Sequence, residues 1–480
     1  MSVFKSKKTI KMKLRFKSIL LVGIILGGLL SSCSKDFLDQ PPYTSVPAEE
    51  ALLTEADALS ALTGSYAGLR VFDLYGRTIP LIGDLWADNV LISTRNAGRY
   101  TEIFNNNFVE NNQWFTGLWQ NAYRVINRAN NIIHSTPTGS EANINQYKGE
   151  AYAIRALLYF ELVRFFARPY TDNPAGPGVP LVLAFDIDAK PARATVEEVY
   201  TQILADLDQA YSLMTLAPST GRFSKYAARA LAAKVNLHKG TQASYQLAFD
   251  YAKDVIDNSG VDIVPASNLV SYWEATGSQS LGTETLLEIV SDQIDNAGFD
   301  ELPYFFGQQG YGDGLSQKAL YDLYTATDVR KELIIVGTRT RAENPAFIIN
   351  KYPDLVNYGA KKILRISDVY LIASEAAYRL NQENVAKGFL SDLLAERDPA
   401  AEVTESGAAL FERIILERRK ELAFEGDRYH TLNRLKRDIT GRVPSQATEI
   451  PYSDFRRVAP IPQAELDRNS NLEPNDGWRQ

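Results

Sequence analysis

The chain has 480 residues, a formal charge of −7, 45% apolar and 23% charged residues, 25 tyrosines and a single cysteine. An acidic balance argues against nucleic acid, and against an anionic ligand held by bulk charge; one cysteine excludes an intramolecular disulfide framework. The length suffices to bury roughly three quarters of the unfolded surface, in one large or two intimate domains.

Seven basic residues (Lys5, Lys7, Lys8, Lys11, Lys13, Arg15, Lys17) precede an apolar run from Ile19 to Leu30, with no acidic residue before Asp36. That is the charged and apolar pattern of an export signal, starting at Met1 or equally well at Met12. Twelve apolar residues fall short of the about 20 that a transmembrane helix needs. Leu30-Ser31-Ser32-Cys33 resembles a bacterial lipobox, in which Cys33 is acylated and becomes the first residue. A lone cysteine is ordinarily a buried small hydrophobe or a nucleophile, but its place directly after the apolar run favours lipid attachment. The predicted division is a signal peptide over 1–32 and one domain over 33–480, with an N-terminal part to 215 and a C-terminal part from 216. Removing seven positive charges takes the formal charge from −7 to −14.

The body of the chain has mostly helical periodicity. Leu118, Ala122, Val125, Ile126, Ala129, Ile132 and Ile133 repeat at three and four residues. Thr195 with Glu198 forms a capping box ahead of a stripe from Val199 to Met214. Ala227, Leu231 and Val235 lead through Lys239-Gly240 into Tyr245, Ala248, Ala252 and Val255. Ile366 to Leu380 forms another stripe that turns at Asn381 into Phe389, Leu390 and Leu393. These two pairs are tetratricopeptide-like (TPR-like) units. The expected class is therefore mainly α, a scaffold of TPR-like helix pairs with a loop-rich ligand face and a few short strands. Glu284–Val290 and Asn344–Tyr352 are the predicted strands. Residues 88–116, 169–180 and 261–318 read as long loops, which in a compact domain tend to carry function.

Blocks along the mature chain resemble the SusD-like (RagB/SusD) family, in family order. They are Asp36-Phe37-Leu38-Asp39, Ala61–Leu69, Gly83-Asp84 with Asp88-Asn89, Trp119 to Asn130, Gly149–Arg164, Arg365–Ala376, Glu417–Gly426, and Ala459–Pro462 with Gly477-Trp478. Two positions depart from it: Thr431, where the family usually carries aspartate, and Glu473–Asp476. The resemblance implies a non-catalytic outer-membrane lipoprotein that binds a nutrient and sits as a lid on a SusC-like TonB-dependent transporter. The ligand it implies is a glycan; peptides or another nutrient, or a TPR-type scaffold that binds only proteins, are the alternatives.

The chemistry-bearing residues point away from catalysis. His134, His238 and His430 lack zinc-motif spacing, so no metal and no cofactor is expected. The run Gly307–Gly314 lacks the ending of a phosphate-binding loop and reads as a mobile loop. Arg413 with Glu417, and Arg418 with Glu421, read as helical neighbours worth a few tenths of a kcal/mol each. No pattern organises a pair of carboxylates for glycoside hydrolysis. Sugar binding needs aromatic platforms in loops, each hiding ~80 Å² of apolar surface, worth about 2 kcal/mol. Trp114, Tyr100, Asn112, Trp273, Tyr304, Phe305 and Tyr311 are the candidates, while Trp86 and Trp119 are expected in the core.

Overall fold

Helical segments of 13 to 26 residues dominate the chain; Gln113–His134 and Val196–Leu213 each bury one face, whereas Glu141–Phe166 is buried on all sides from Ala153 to Val163. The computed structural model describes residues 51–216, 219–275, 284–353 and 359–478. Cys33 and the export signal lie outside them. The helices that build the scaffold are α1 (Glu55–Leu69), α2 (Thr78–Leu85), α3 (Gln113–His134), α4 (Glu141–Phe166), α5 (Val196–Leu213), α6 (Lys225–Lys239), α7 (Gln242–Asn258), α8 (Ile366–Arg379), α9 (Glu383–Ala395), α10 (Gly407–Glu421) and α11 (Arg428–Arg434). From α3 to α9 each helix packs on the one before it, α8 resting on α7 and α10 on α8.

The predicted caps and turns are present. Thr195 and Glu198 make the reciprocal capping box of α5. Gly240 (φ +69°) closes α6, two residues before α7 begins. Asn381 (φ +60°) turns the chain between α8 and α9. Links this short bring consecutive helices back alongside each other, as the TPR-like reading requires.

Six short strands form three separate two-stranded antiparallel ladders: β1 (Val90–Ile92) with β3 (Gly314–Ser316), β2 (Thr285–Ile289) with β6 (Lys361–Arg365), and β4 (Ile334–Gly337) with β5 (Ala346–Ile349). The predicted strands correspond to β2 and β5, trimmed at their ends. Two of the ladders tie distant segments together, β1 to β3 across more than two hundred residues and β2 to β6, while β4 and β5 form a local hairpin.

A main core runs through the scaffold, with a smaller apolar cluster between α8, α9 and α10. Trp86 is fully buried and stacks on Tyr429 at 4.2 Å, with Phe108 and Phe115 each at 5.2 Å. The charged blocks that carry the family resemblance are buried here as well. Arg365 reaches Glu284, Glu421 and Glu425, and Arg397 joins Glu284 to Glu421. Arg155 holds Asp206, Arg434 holds Glu375, and Arg428 holds Asp88. The expected helical pairs of α10 are thus corrected in part. Arg413 does meet Glu417 at 3.2 Å, but Arg418 turns to Asp368 and Asp427, and Glu421 to the arginines of other segments. Thr431 donates to Asp427 at 2.7 Å and so completes the carboxylate that Arg418 also holds. Burial decides this outcome, because an unpaired buried carboxylate costs far more than a surface pair gains.

Candidate functional site

The loop after β1, the N-terminus of α3, the segment 291–314 and the hairpin tip between β4 and β5 meet on one surface. Its foundation is Tyr100, held at φ +58° and fully buried. Tyr100 stacks on Trp114 with centroids 3.8 Å apart and meets the edge of Phe305 at 5.7 Å. Arg77 donates from Nε to the Tyr100 hydroxyl at 3.1 Å and pairs with Asp300 at 3.2 Å. Asn112 caps α3 through the amides of Trp114 and Phe115, and its side-chain amide donates to Glu102. The Trp114 indole also donates to Glu102, at 2.9 Å.

These contacts place the nominated residues differently from expectation. Tyr100, Asn112, Trp114, Trp273 and Phe305 are all buried rather than free in loops. Trp273 lies in the core, facing Tyr352 and the cations Lys351 and Lys362. Tyr304 and Tyr311 are half-buried and meet edge to face at 4.9 Å. Phe299, which the sequence reading did not nominate, stands beside Tyr304 at 4.7 Å and is 62% exposed. Phe299, Tyr304 and Tyr311 form a continuous surface of three rings. Phe299 lies inside the predicted loop 261–318, where no periodicity distinguishes an open ring from a packed one.

The glycine run packs back against the residues before it. Tyr311 N donates to Tyr304 O at 2.9 Å and Asp313 N to Phe305 O at 2.9 Å. A Cβ on Gly310 would lie 2.5 Å from Tyr304 O, and one on Gly314 2.8 Å from Phe306. The glycines are there because the run folds back onto the short helix Leu302–Phe306.

Polar groups frame the rings. The Arg99 guanidinium lies 3.6 Å over the Tyr311 ring and pairs with Asp313 at 2.7 Å. Arg339 donates to the carbonyls of Gln308 and Tyr311. Near Arg77 and Asp300, Asp73 accepts from Asn121 at 2.9 Å, and burial pushes its carboxyl up to about 6. Flat rings edged by guanidinium, amide and carboxylate groups suit a ligand with apolar faces and polar edges.

The histidines do not form a metal centre, and no group of three metal-ligating side chains gathers among the described residues. His134 bonds to Leu183 O at 2.8 Å, while His238 and His430 are buried beside Phe160 and Phe165. Burial and the nearby Arg164 hold both buried imidazoles well below the usual histidine range. No described helix is long and apolar enough to cross a membrane.

Comparison with known proteins adds to this geometry. A model of SusD-like proteins, described as starch-binding and associating with the outer membrane, matches residues 36–237. The SusD family model matches residues 347–478. SusD-like protein P2 of Formosa agariphila is 28% identical, covering 94% of this chain and 98% of its own. A SusD-like protein of Bacteroides ovatus is 26% identical over 88% of this chain and 83% of its own. A putative sugar binding protein from Bacteroides vulgatus has a similar fold, with 27% identity, 89% of this chain and all of that one covered, and a TM-score of 0.81. A SusD superfamily protein from Bacteroides thetaiotaomicron aligns over 88% of this chain and all of its own, at 27% identity and a TM-score of 0.80. With both family models matched on either side of its loop-rich middle and the helical scaffold shared throughout, this chain belongs to the SusD (RagB/SusD) family.

Proposed function

We propose that this protein is a lipoprotein of the outer-membrane surface, anchored through Cys33, that captures a glycan and passes it to a SusC-like TonB-dependent transporter without chemical turnover. The observation that carries the reading is the run of three rings, Phe299, Tyr304 and Tyr311, with Phe299 largely open to solvent. Sugar rings lie flat on such surfaces while their hydroxyls reach the polar edge. Trp114, Tyr100, Asn112 and Phe305 support the surface from beneath, and Trp273 stiffens the core behind it. The family description and the sugar-binding relative are consistent with a glycan ligand. Two or three platforms at about 2 kcal/mol each, less association costs, correspond to roughly micromolar to millimolar affinity. Such affinity suits a protein that must release what it captures.

Calorimetric titration of the lipid-free mature chain against soluble polysaccharides, their oligomers and a peptide pool tests the proposal. Saturable binding to a glycan, weakened in Phe299→Ala and Tyr304→Ala and without product formation, supports it. Binding to peptides alone replaces the glycan and keeps the capture role. Product formation overturns it. Metabolic labelling with a fatty acid, lost in Cys33→Ala, tests the anchor.

A further inference from the structure

The ring surface has an electrically distinct end. The loop 93–99 is clamped to the hairpin tip 338–345 through Glu343, which accepts from Ser93 Oγ at 3.0 Å and from Thr94 N at 2.7 Å. This clamp gathers Arg95, Arg99 and Arg339 at the Tyr311 end of the rings, with Arg341 at the turn of the same hairpin. Arg339 lies against Gly312, where any Cβ would come within 2.6 Å of its guanidinium, with its Nε buried and its terminal nitrogens each giving one bond to the Gln308 and Tyr311 carbonyls. Arg95 and Arg341 are exposed and form no ion pair among the described residues. Among the described residues, Asp313 and Glu343 are the carboxylates that act on Arg99 and Arg339. Asp313 is buried beneath Arg99, and Glu343 is occupied by Ser93 and Thr94.

The crowding is felt locally: desolvation and the charge of Arg95 both lower the pKa of Arg339. A patch of guanidinium in a chain whose overall charge is −7 is a local reversal of potential that attracts an anionic group to this end of the surface. Guanidinium is also the side chain whose planar fork matches carboxylate and sulfate oxygens two at a time. Bulk charge excludes non-specific attraction of polyanions, but a cluster placed beside aromatic platforms selects for one that also offers a sugar face.

We infer that the glycan taken by this surface is anionic, bearing uronate carboxylates or sulfate esters, with the acidic group held by Arg95, Arg339 and Arg341 while a neighbouring sugar ring lies on Tyr304 and Phe299. The inference rests on the glycan-capture reading and names its substrate class. The mature protein is titrated with oligogalacturonate, with sulfated galactan oligomers and with neutral galactan oligomers, at low and at high salt. At least one anionic series binds ~10-fold or more tightly than the neutral one at low salt, and the gap narrows as salt screens the pairs. The double variant Arg95→Gln/Arg341→Gln, at exposed positions, keeps the wild-type melting temperature and loses that preference while neutral binding is unchanged. Equal binding of neutral and anionic oligomers, indifferent to the double variant, overturns the inference and leaves glycan capture standing. A folded protein that binds no glycan of either kind overturns both.

Discussion

Tyr100 and Trp114 stack with ring centroids 3.8 Å apart, and neither ring is open to solvent. The pair holds the loop after β1 against the first turn of α3, beneath the exposed rings. Trp114→Ala therefore removes packing and leaves Glu102 without its indole donor. The expected loss is about 3–5 kcal/mol of stability, read by urea denaturation. A variant of unchanged stability that has lost glycan binding would make Trp114 a ligand platform instead.

Arg365 lies at the centre of a largely buried cluster, with Glu421 at 2.9 Å and Glu284 and Glu425 also in reach. Arg365→Met leaves three carboxylates short of a partner and is expected to cost about 3–5 kcal/mol. Arg413 pairs with Glu417 at the same helix but remains partly solvated. Arg413→Ala is expected to change stability by roughly 1 kcal/mol or less. Denaturation midpoints of the two variants, measured side by side, check the contrast.

His238 and His430 are buried neutral, so the unfolded chain takes up protons below about pH 6.5 that the folded chain refuses. Their contribution is complete above that pH and is lost as the pH falls, by up to about 1.4 kcal/mol per unit for each histidine. Two carboxyls act with the opposite sign in the same range. Burial raises Asp84 to about 7 and Asp73 to about 6, so the folded state gains relative stability as the pH falls through those values. The difference between wild type and a His238→Asn/His430→Leu variant isolates the histidine share. Between pH 7 and 5 the variant is expected to show the shallower acid-side loss in melting temperature.

Gly83 on α2 faces Gly426 so closely that a Cβ on Gly83 would sit 2.0 Å from the Gly426 carbonyl oxygen. Gly426 itself holds φ +85° with Pro80 at 2.8 Å from where its Cβ would be. Gly83→Ala is expected to destabilise by several times the about 1 kcal/mol ordinarily gained from Gly→Ala in a helix. Gly64, in α1 with open space around it, supplies the control: Gly64→Ala is expected to stabilise by about 0.5–1 kcal/mol. Melting temperatures that move in opposite directions for the two variants are the check.

Much of the scaffold was legible because helical periodicity and capping chemistry are local. The Thr195–Glu198 box, the Gly240 turn and the stripes of α3, α5, α6 and α8 each follow from residues within one or two turns of one another. The candidate site was legible only as a region. Loops 88–116 and 261–318 do meet, but nothing local distinguishes Phe299, which is open, from Phe305, six residues later and fully buried. Which aromatic ring is covered depends on what a distant segment lays over it.

The sequence by itself determined the helical scaffold, the resemblance that carries the family, and the segments where a ligand surface is built. Tertiary structure alone decided which arginine meets which carboxylate, since Arg365 finds its partners 56 to 81 residues away. It also decided which rings face solvent and which cations gather beside Tyr311. The physical reason is range: hydrogen-bonded turns and apolar stripes are set within a few residues. Burial and charge pairing depend instead on neighbours that the fold brings together.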